Sequence, residues 1–262
     1  MNVPVIFGGD RLTVVDKPAG VRSEDVAASL GKKLGHRLDQ GTSGLLVMAD
    51  DARTVQRLHR LLAAGAVSRR YRFVAHGVIV AATISSRLVR NRGDGLRGTR
   101  RDGEESPDDH DSNDDRHDDR HDDRHDDRHD DRHDDGKLST TIVTPMWTAS
   151  DGRISGGAAT LVTGRTHQVR IHLAEAGHPL VGEPVYIRDH RAQALPLQPS
   201  TRLMLHAWQL TLTHPNTRAA LASSDRVSSR SSLSTDSRPV AVLTTMGKNA
   251  TVAAKIMFEC SP

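Results

Sequence analysis

The chain has 262 residues, with 36% apolar and only 3% aromatic residues, so aliphatic side chains must build most of its core. Its single cysteine excludes an intramolecular disulfide framework and a cluster of thiolate metal ligands. No apolar run is long enough to cross a bilayer, and the first residues lack the apolar segment of a secretory signal. We therefore expect an intracellular protein, cytoplasmic by default, with a mitochondrial or nuclear location left open.

The formal net charge of +3 conceals an uneven distribution of charge along the chain. Residues 93–137 carry 19 acidic and 9 basic side chains, which leaves the remainder strongly basic. A basic body favours a polyanionic partner, and nucleic acid is the commonest one. Composition alone is equally compatible with a surface that is charged only for solubility.

Short elements alternate in the first part of the chain. Two β-branched runs, at 3–7 and 12–15, are separated by Gly-Gly-Asp and predict two strands joined by a turn. Apolar residues four apart predict a helix over 23–34. Residues 52–64 predict a second helix, with its arginines away from the apolar face. A strand is expected at 71–75.

The segment 36–50 delivers a polar loop onto an apolar strand. Asp39 follows Arg37 by two residues and precedes the run Gly-Thr-Ser-Gly, whose glycines permit tight turns. We expect a loop carboxylate beside an arginine to stay ionised at neutral pH. On these residues alone, capping of the turn is the alternative role for Asp39.

Residues 93–135 predict a disordered insertion that divides one catalytic domain into parts 1–92 and 137–262, with the insertion itself at 93–136. The unit Asp-Asp-Arg-His occurs five times between 114 and 133, and such a tract cannot bury enough apolar surface to fold. Its histidines and aspartates could bind zinc or nickel loosely. The alternatives are a solvated tract without a dedicated function, and competition with RNA for the basic face.

Further elements follow the insertion. Residues 164–173 alternate between apolar residues and Arg170 or His172, which predicts a half-buried strand, although a helix beginning near Thr166 remains open. The Ser-rich and Arg-rich segment 216–239 predicts a second mobile insertion. Strands are expected within 137–145, 158–163, 203–212 and 240–258.

Several segments resemble, in the same order, those of the RluA-type pseudouridine synthases. The match covers most of the chain outside the insertions, and both tyrosines of the chain fall within it. Glu183 stands where the family usually has Asp. The matching segments are LTVVDKPAG at 12–20, HRLDQGTSGLL at 36–46, RRYRFVAHG at 69–77, GRTHQVRIHL at 164–173, GHPLVGEPVY at 177–186, LHA at 205–207 and HP at 214–215.

The resemblance implies an α+β fold with a mixed, largely antiparallel central sheet flanked by helices and loops. It implies a cofactor-free and metal-free isomerase that converts uridine to pseudouridine in structured RNA, either rRNA or tRNA. We expect RNA as the partner, no membrane association, no obligate protein partner and a monomer. The alternatives are a non-catalytic RNA-binding protein that retains the synthase fold, and a metal-binding regulator acting through the Asp-Asp-Arg-His repeat.

The resemblance also implies roles for individual residues. Asp39 resembles the catalytic aspartate, acting as a nucleophile or as a base at the sugar. Arg170 resembles its basic partner, and we expect it within salt-bridge reach of Asp39. Tyr71 resembles the residue that packs on the target uracil. Arg37 resembles the residue that fills the space left by the flipped nucleotide, unless it simply neutralises Asp39.

Other polar residues receive weaker predictions. Lys17, Arg165 and the arginines of 53–70 are candidates for phosphate contact. His36, His167 and His172 are expected to form hydrogen bonds rather than to bind a metal or to transfer protons.

Overall fold

The computed structural model describes residues 2–99, 136–188, 200–216, 240–246 and 251–257. The helices are α1 (Ser23–Ser29), α2 (Ala52–Ala63) and α3 (Gln168–Glu175), with a short 3-10 helix at Tyr186–Arg188. The strands are β1 (Val5–Gly9), β2 (Leu12–Lys17), β3 (Lys33–Leu34), β4 (Ser43–Ala49), β5 (Val67–His76), β6 (Ala82–Val89), β7 (Gly98–Thr99), β8 (Lys137–Thr148), β9 (Ile154–Leu161), β10 (Leu205–Thr213), β11 (Val240–Met246) and β12 (Thr251–Met257).

The strands form one mixed sheet with the order β1-β2-β4-β10-β5-β9-β8-β6-β7. Its described pairs are antiparallel except for the short contact between β4 and β10. One edge of β10 pairs with β4 before Trp208 and with β12 after it. β11 pairs with β12, and β3 pairs with β4. The predicted α+β class with a largely antiparallel central sheet is confirmed.

A glycine allows β4 to meet β10. Gly44 has φ +114°, and a side chain there would run into the backbone of Ala207 on β10. Only glycine adopts this conformation readily and leaves this space. Gly44 therefore allows β4, the strand that follows the loop of Asp39, to pack closely against β10.

The two predicted N-terminal helices differ in how far they extend. α2 is confirmed, and Asp51 caps it by accepting a hydrogen bond from the backbone N–H of Thr54 at 2.8 Å. α1 ends earlier than predicted, because Gly31 turns the chain with φ +63° and Lys33–Leu34 then pair with β4. The apolar spacing of Leu34 belongs to this short strand and not to the helix.

The strand predicted over 164–173 is wrong, and the helix left open as its alternative is confirmed, since α3 spans Gln168–Glu175. Arg170 and His172 are buried along with the apolar residues between them, so the alternation did not reflect one exposed face. Gln168 fixes the start of the helix: its Oε1 accepts from Thr163 Oγ1 at 2.9 Å and from the N–H of Arg165 at 3.0 Å.

The start of the predicted insertion lies within the described part of the chain. Gly98–Thr99 form β7 against β6, and the N–H of Thr99 donates to Glu175 Oε1 of α3 at 2.8 Å. The remainder of the first insertion, with its repeat, and residues 217–239 of the second lie outside the described residues. The region 240–258 contains two strands, β11 and β12, rather than one. In the ranges given above, no helix is long and apolar enough to cross a membrane.

Candidate active site

Asp39 lies in the loop between β3 and β4, where hydrogen bonds fix both the preceding residue and the backbone carbonyl of Asp39 itself. Ser23, at the start of α1, bonds both backbone groups of Leu38: its Oγ accepts from the N–H at 3.0 Å and donates to the carbonyl at 2.9 Å. Asp39 itself accepts a backbone bond from the N–H of Thr42 at 3.0 Å. The carboxylate is therefore presented from a rigid loop.

Lys17 supports this loop from within the protein. Its side chain is fully buried, and Nζ donates to the carbonyls of Pro18, Val21 and Gln40 at 2.9, 2.7 and 3.1 Å. Burial lowers the pKa of Lys17 to about 8, against the opposing charges of Asp39 and Glu24. The predicted phosphate contact by Lys17 is wrong, because a buried ammonium bonded to three carbonyls cannot reach a phosphate at the surface.

Arg170 joins Asp39 to a second carboxylate. Its Nη1 lies 3.4 Å from Asp39 Oδ2, as predicted, although 131 positions separate the two residues. Its Nε and Nη2 donate to Glu183 Oε2 and Oε1 at 2.9 and 2.7 Å, a bidentate pair. Burial alone acts to lower the pKa of Arg170, but the hydrogen bond and charge of Glu183 raise it overall.

Glu183 is fixed in turn by the backbone that follows it. Its Oε1 also accepts from the N–H groups of Val185 and Tyr186, at 2.9 and 3.2 Å. Burial favours the protonated carboxyl, yet the bond and charge of Arg170 together with these N–H groups lower the pKa of Glu183. Glu183 and Arg170 therefore form a buried, ionised pair. The third guanidinium nitrogen of Arg170, Nη1, faces Asp39.

His167 approaches Asp39 from the residue that precedes α3, the helix whose first turn carries Arg170. It precedes the helix with a left-handed backbone, φ 58°, and its Nε2 lies 3.8 Å from Asp39 Oδ1. Its Nδ1 lies 2.7 Å from the hydroxyl of Tyr186. Burial raises the pKa of Tyr186 well above its usual value, so this hydroxyl keeps its proton at neutral pH. The hydrogen bond between this hydroxyl and Nδ1 orients the ring, with Nε2 on the side of Asp39.

Tyr71 and Arg37 both line the cleft around Asp39. Tyr71 extends from β5 and is largely buried, and burial raises the pKa of its hydroxyl to about 12, so it is neutral at physiological pH. Arg37 is exposed, with Nε 3.2 Å from Glu24 Oε1. The structure thus pairs Arg37 with Glu24, whereas Asp39 forms its ion pair with Arg170 and lies 3.8 Å from Nε2 of His167.

The cleft has a volume of about 1790 Å³ and a strongly basic lining. The carboxylates that line it in the described part of the chain are those of Asp39 and Glu24. This balance suits a polyanion, and it places the Asp39 carboxylate among cationic side chains. The arginines that line it are Arg22, Arg37, Arg69, Arg90, Arg97, Arg165, Arg170 and Arg202.

Several of these residues received no role from the sequence. Glu183 was noted only as a departure from the family pattern, although a carboxylate at that position was itself the signal for a partner of Arg170. Tyr186 lies in a matched segment, but its bond to His167 follows from the fold. Arg90 and Arg97 lie in a loop that the sequence did not connect with the cleft. Among the described residues, no group of three His, Cys, Asp or Glu side chains could hold a metal ion.

Comparisons with known proteins show which family the chain belongs to. A model of the family described as RNA pseudouridylate synthase matches residues 31–175, more than half of the chain. The ribosomal large subunit pseudouridine synthase D of Nitrosomonas europaea is 55% identical over 60 residues, covering 21% of this chain and 17% of that protein. The protein of the same name from Pseudomonas aeruginosa is 27% identical over 247 residues, covering 83% of this chain and 66% of the relative.

The fold has a solved counterpart as well. The structure of human RNA pseudouridylate synthase domain containing 1 matches with a TM-score of 0.57 at 22% identity, covering 80% of this chain and 78% of that one. The alignment with P. aeruginosa takes in just under two thirds of the relative's length, and the corresponding share is 55% for the synthase D of Neisseria meningitidis serogroup B. Because the family model matches more than half of this chain, the chain belongs to the RNA pseudouridylate synthases, a family of isomerases, as its RluA-type motifs predicted.

Proposed function

We propose that this protein isomerises uridine to pseudouridine in RNA and that Asp39 is the catalytic residue. The observation that carries the proposal is the position of the Asp39 carboxylate. It lines an arginine-rich cleft, 3.4 Å from the buried guanidinium of Arg170. A carboxylate held in place by a permanent cation has the chemistry that either a nucleophile or a base requires.

The reaction moves one glycosidic bond and consumes nothing. The bond between N1 of uracil and C1′ of the ribose breaks, the base turns within the site, and C5 forms the new bond to C1′. The proton lost from C5 is balanced by the proton gained at N1, so no oxidant, reductant or water is needed. Asp39 acts at the ribose in one of two ways: as a nucleophile whose bond to C1′ forms as the N1 bond breaks and is then displaced by C5, or as a base that removes a ribose proton and returns it when the C5 bond forms.

The surrounding residues serve the base and the flanking RNA. A uridine must leave its stack to reach the floor of the cleft, and Arg37 on the exposed rim would fill the space that it vacates. The neutral ring of Tyr71 supplies a wall against which the freed uracil can turn. A volume of about 1790 Å³ also leaves room for neighbouring nucleotides, whose phosphates would meet the arginines.

Ribosomal RNA is the proposed substrate class, with transfer RNA as the second choice. The relatives from P. aeruginosa and N. europaea carry names that refer to the large ribosomal subunit. The basic cleft fits either RNA, since phosphate contacts fix position without reading sequence. We propose the cytoplasm as the compartment. Mapping pseudouridine in total RNA with and without the gene tests both proposals, and losses confined to organellar transcripts would place the protein in an organelle.

The direct test uses purified protein and transcribed large-subunit rRNA, with pseudouridine measured by mass spectrometry of the digested nucleosides. We expect product with the natural protein and at least a 1000-fold loss of rate for Asp39→Asn, which keeps the shape of the side chain but not its charge. RNA affinity should stay within about threefold, since Asp39 adds no attraction for phosphate. Absence of product on both rRNA and tRNA, with RNA still bound, would favour the non-catalytic RNA-binding alternative.

A further inference from the structure

The face of the sheet opposite the cleft has an organised set of side chains that the proposed reaction does not use. Tyr71 of β5 lines the cleft, and Thr141 of β8 bonds His172 of α3 at 2.9 Å. Successive residues of a strand point to opposite faces, so Arg70, Arg72 and Ile142 lie on the other side. We call this side of β5, β9, β8 and β6 the back face.

The strand register arranges the back face in rows. Arg70 pairs with Thr160, which pairs with Ile142. In the next row Arg72 pairs with Ala158, and Ala158 with Thr144. In the third row Val74 pairs with Gly156, and Gly156 with Trp147. Arg70 and Arg72, in the first and second rows on β5, therefore lie two strands away from Trp147, which is in the third row on β8.

The charge of these strands has a single sign. The sequences of β5, β6, β8, β9 and β10 contain no Asp or Glu, and their charged residues other than histidine are Arg69, Arg70, Arg72, Arg87 and Lys137. Arginines on a face whose own strands offer no carboxylate attract a polyanion. Hydroxyl groups of Thr and Ser residues on the same face can donate further hydrogen bonds to phosphate oxygens.

Trp208 of β10 orients the two arginines. The guanidinium carbons of Arg72 and Arg70 lie 4.5 and 5.4 Å from the centroid of its ring, within the range of cation–π attraction. Trp208 is buried, whereas both arginines are half-buried and retain exposed surface. Because the indole holds the guanidinium groups in place, less side-chain entropy would be lost when an anion binds them.

Trp147 provides an exposed aromatic surface on the same face. It is 45% exposed, and Met146 and Ile142 of the same strand are 56% and 40% exposed. Its indole occupies the space above Gly156, where any side chain would collide with it. An exposed indole on the same face as fixed arginines and hydroxyl groups is a combination that can bind single-stranded nucleic acid, with a base stacked at one point and phosphates held at another.

We propose that the back face binds a single-stranded segment of the substrate RNA outside the cleft, with phosphates at Arg70 and Arg72 and a base stacked on Trp147. The proposal rests on the proposed function, because it takes RNA as the ligand. A second copy of the chain suits this face less well, since two copies would place arginines against arginines without a carboxylate from these strands.

Tryptophan fluorescence tests the site directly, because the chain has two tryptophans and one of them is buried. Titration of the full chain with an oligouridylate should quench the emission of Trp147 and shield it from acrylamide. In Trp147→Phe the remaining emission comes from buried Trp208, so the quenching and the shielding should disappear. If the quenching by oligouridylate persists in Trp147→Phe, the base does not stack at this position and the proposal is wrong.

Affinity provides the second measurement. Trp147→Ala should weaken oligouridylate binding at least about fivefold, and Trp147→Phe should retain most of it. The double variant Arg70→Gln/Arg72→Gln should make the slope of log affinity against log salt shallower by about 1.4, or about 0.7 for each phosphate that the variant no longer binds. Arg11→Gln, in the exposed turn between β1 and β2, is the control and should leave Trp147 quenching unchanged.

Pseudouridine formation separates this proposal from the proposed function. Asp39→Asn should abolish product while leaving the quenching of Trp147 intact, and Trp147→Ala should raise KM on long RNA with kcat unchanged. Quenching without any pseudouridine would refute the enzyme activity alone, and product formation without quenching would refute the back-face site alone. A dimer that Trp147→Ala dissociates, with RNA affinity unaffected, would assign the face to a second copy and overturn the proposal.

Discussion

Glu183 binds the guanidinium of Arg170 at Nε and Nη2 and leaves Nη1 directed at Asp39. The distances to Glu183 are 2.9 and 2.7 Å, shorter than the 3.4 Å to Asp39. The buried carboxylate therefore sets the position of the arginine, and the arginine in turn sets the electrostatic environment of Asp39. In the proposed reaction, Glu183 is therefore expected to position Arg170 without contacting the substrate.

Replacement of Glu183 tests this relationship. Glu183→Gln leaves Arg170 buried without its charged partner, which should lower the free energy of unfolding by about 3 kcal/mol or more. We expect kcat to fall further than KM changes, because Arg170 would lose its orientation toward Asp39. Glu183→Asp keeps the charge and should recover part of both losses. Equal kcat values for the Gln variant and the natural protein, measured on folded protein, would contradict the positioning role.

Gly44 offers a test of how β4 is held against β10. Gly44→Ala places a methyl group against the backbone of Ala207 and forces a non-glycine residue to φ +114°. We expect a loss of about 3 kcal/mol or more in the free energy of unfolding, measured with urea. Gly31→Ala is the matched control: its φ is +63° but no atom lies within 4 Å, so only about 1 kcal/mol should be lost.

Local patterns were sufficient for elements that have one buried face. The arginines of α2 lie outside its apolar stripe, and Asp51 caps it through a bond within the same turn, so both signals are local in sequence. α3 is different, because it is buried on all sides. Its polar residues bond to distant ones, such as His172 to Thr141 and Arg170 to Glu183, and no periodicity within the helix can show those partners.

The site was only partly predictable for a similar reason. The resemblance to a known family connected Asp39 with Arg170 across the insertion, which spacing alone could not do. Lys17 was assigned to the surface by its charge, but three backbone carbonyls fold around it. The cleft arginines Arg90 and Arg97 depend on β7 pairing with β6 and on Thr99 binding Glu175, contacts between segments that have no shared motif.

The hydrogen bond between His167 and Tyr186 predicts a shared effect on catalysis. Tyr186→Phe removes the hydroxyl that is hydrogen-bonded to Nδ1, and His167→Asn removes the imidazole ring while tolerating the left-handed backbone. We expect both variants to lower kcat about 10-fold to 100-fold with RNA affinity unchanged. The double variant should be no slower than the worse single one, because the two residues act as a unit. Additive losses would show that the two side chains act separately.

His172 predicts that stability falls in mild acid. It is fully buried between α3 and β8, where its ring nitrogens lie within hydrogen-bond distance of Thr141 Oγ1 and Ser86 Oγ, and burial lowers its pKa to about 4. Between pH 6.5 and pH 4 the unfolded chain therefore takes up a proton that the folded chain does not. The neutral ring makes its full contribution to the free energy of unfolding above pH 6.5, and this contribution decreases as the pH falls toward 4.

One such histidine should lower the free energy of unfolding by about 2 kcal/mol between pH 7 and pH 5. His172→Gln can replace a hydrogen bond without titrating, so its urea midpoint should depend less on pH than that of the natural protein. The urea midpoint of the variant should still rise with pH, because burial also lowers the pKa of His36 and of His206 to about 4. Identical pH slopes for the variant and the natural protein would mean that His172 is protonated alike in the folded and unfolded states.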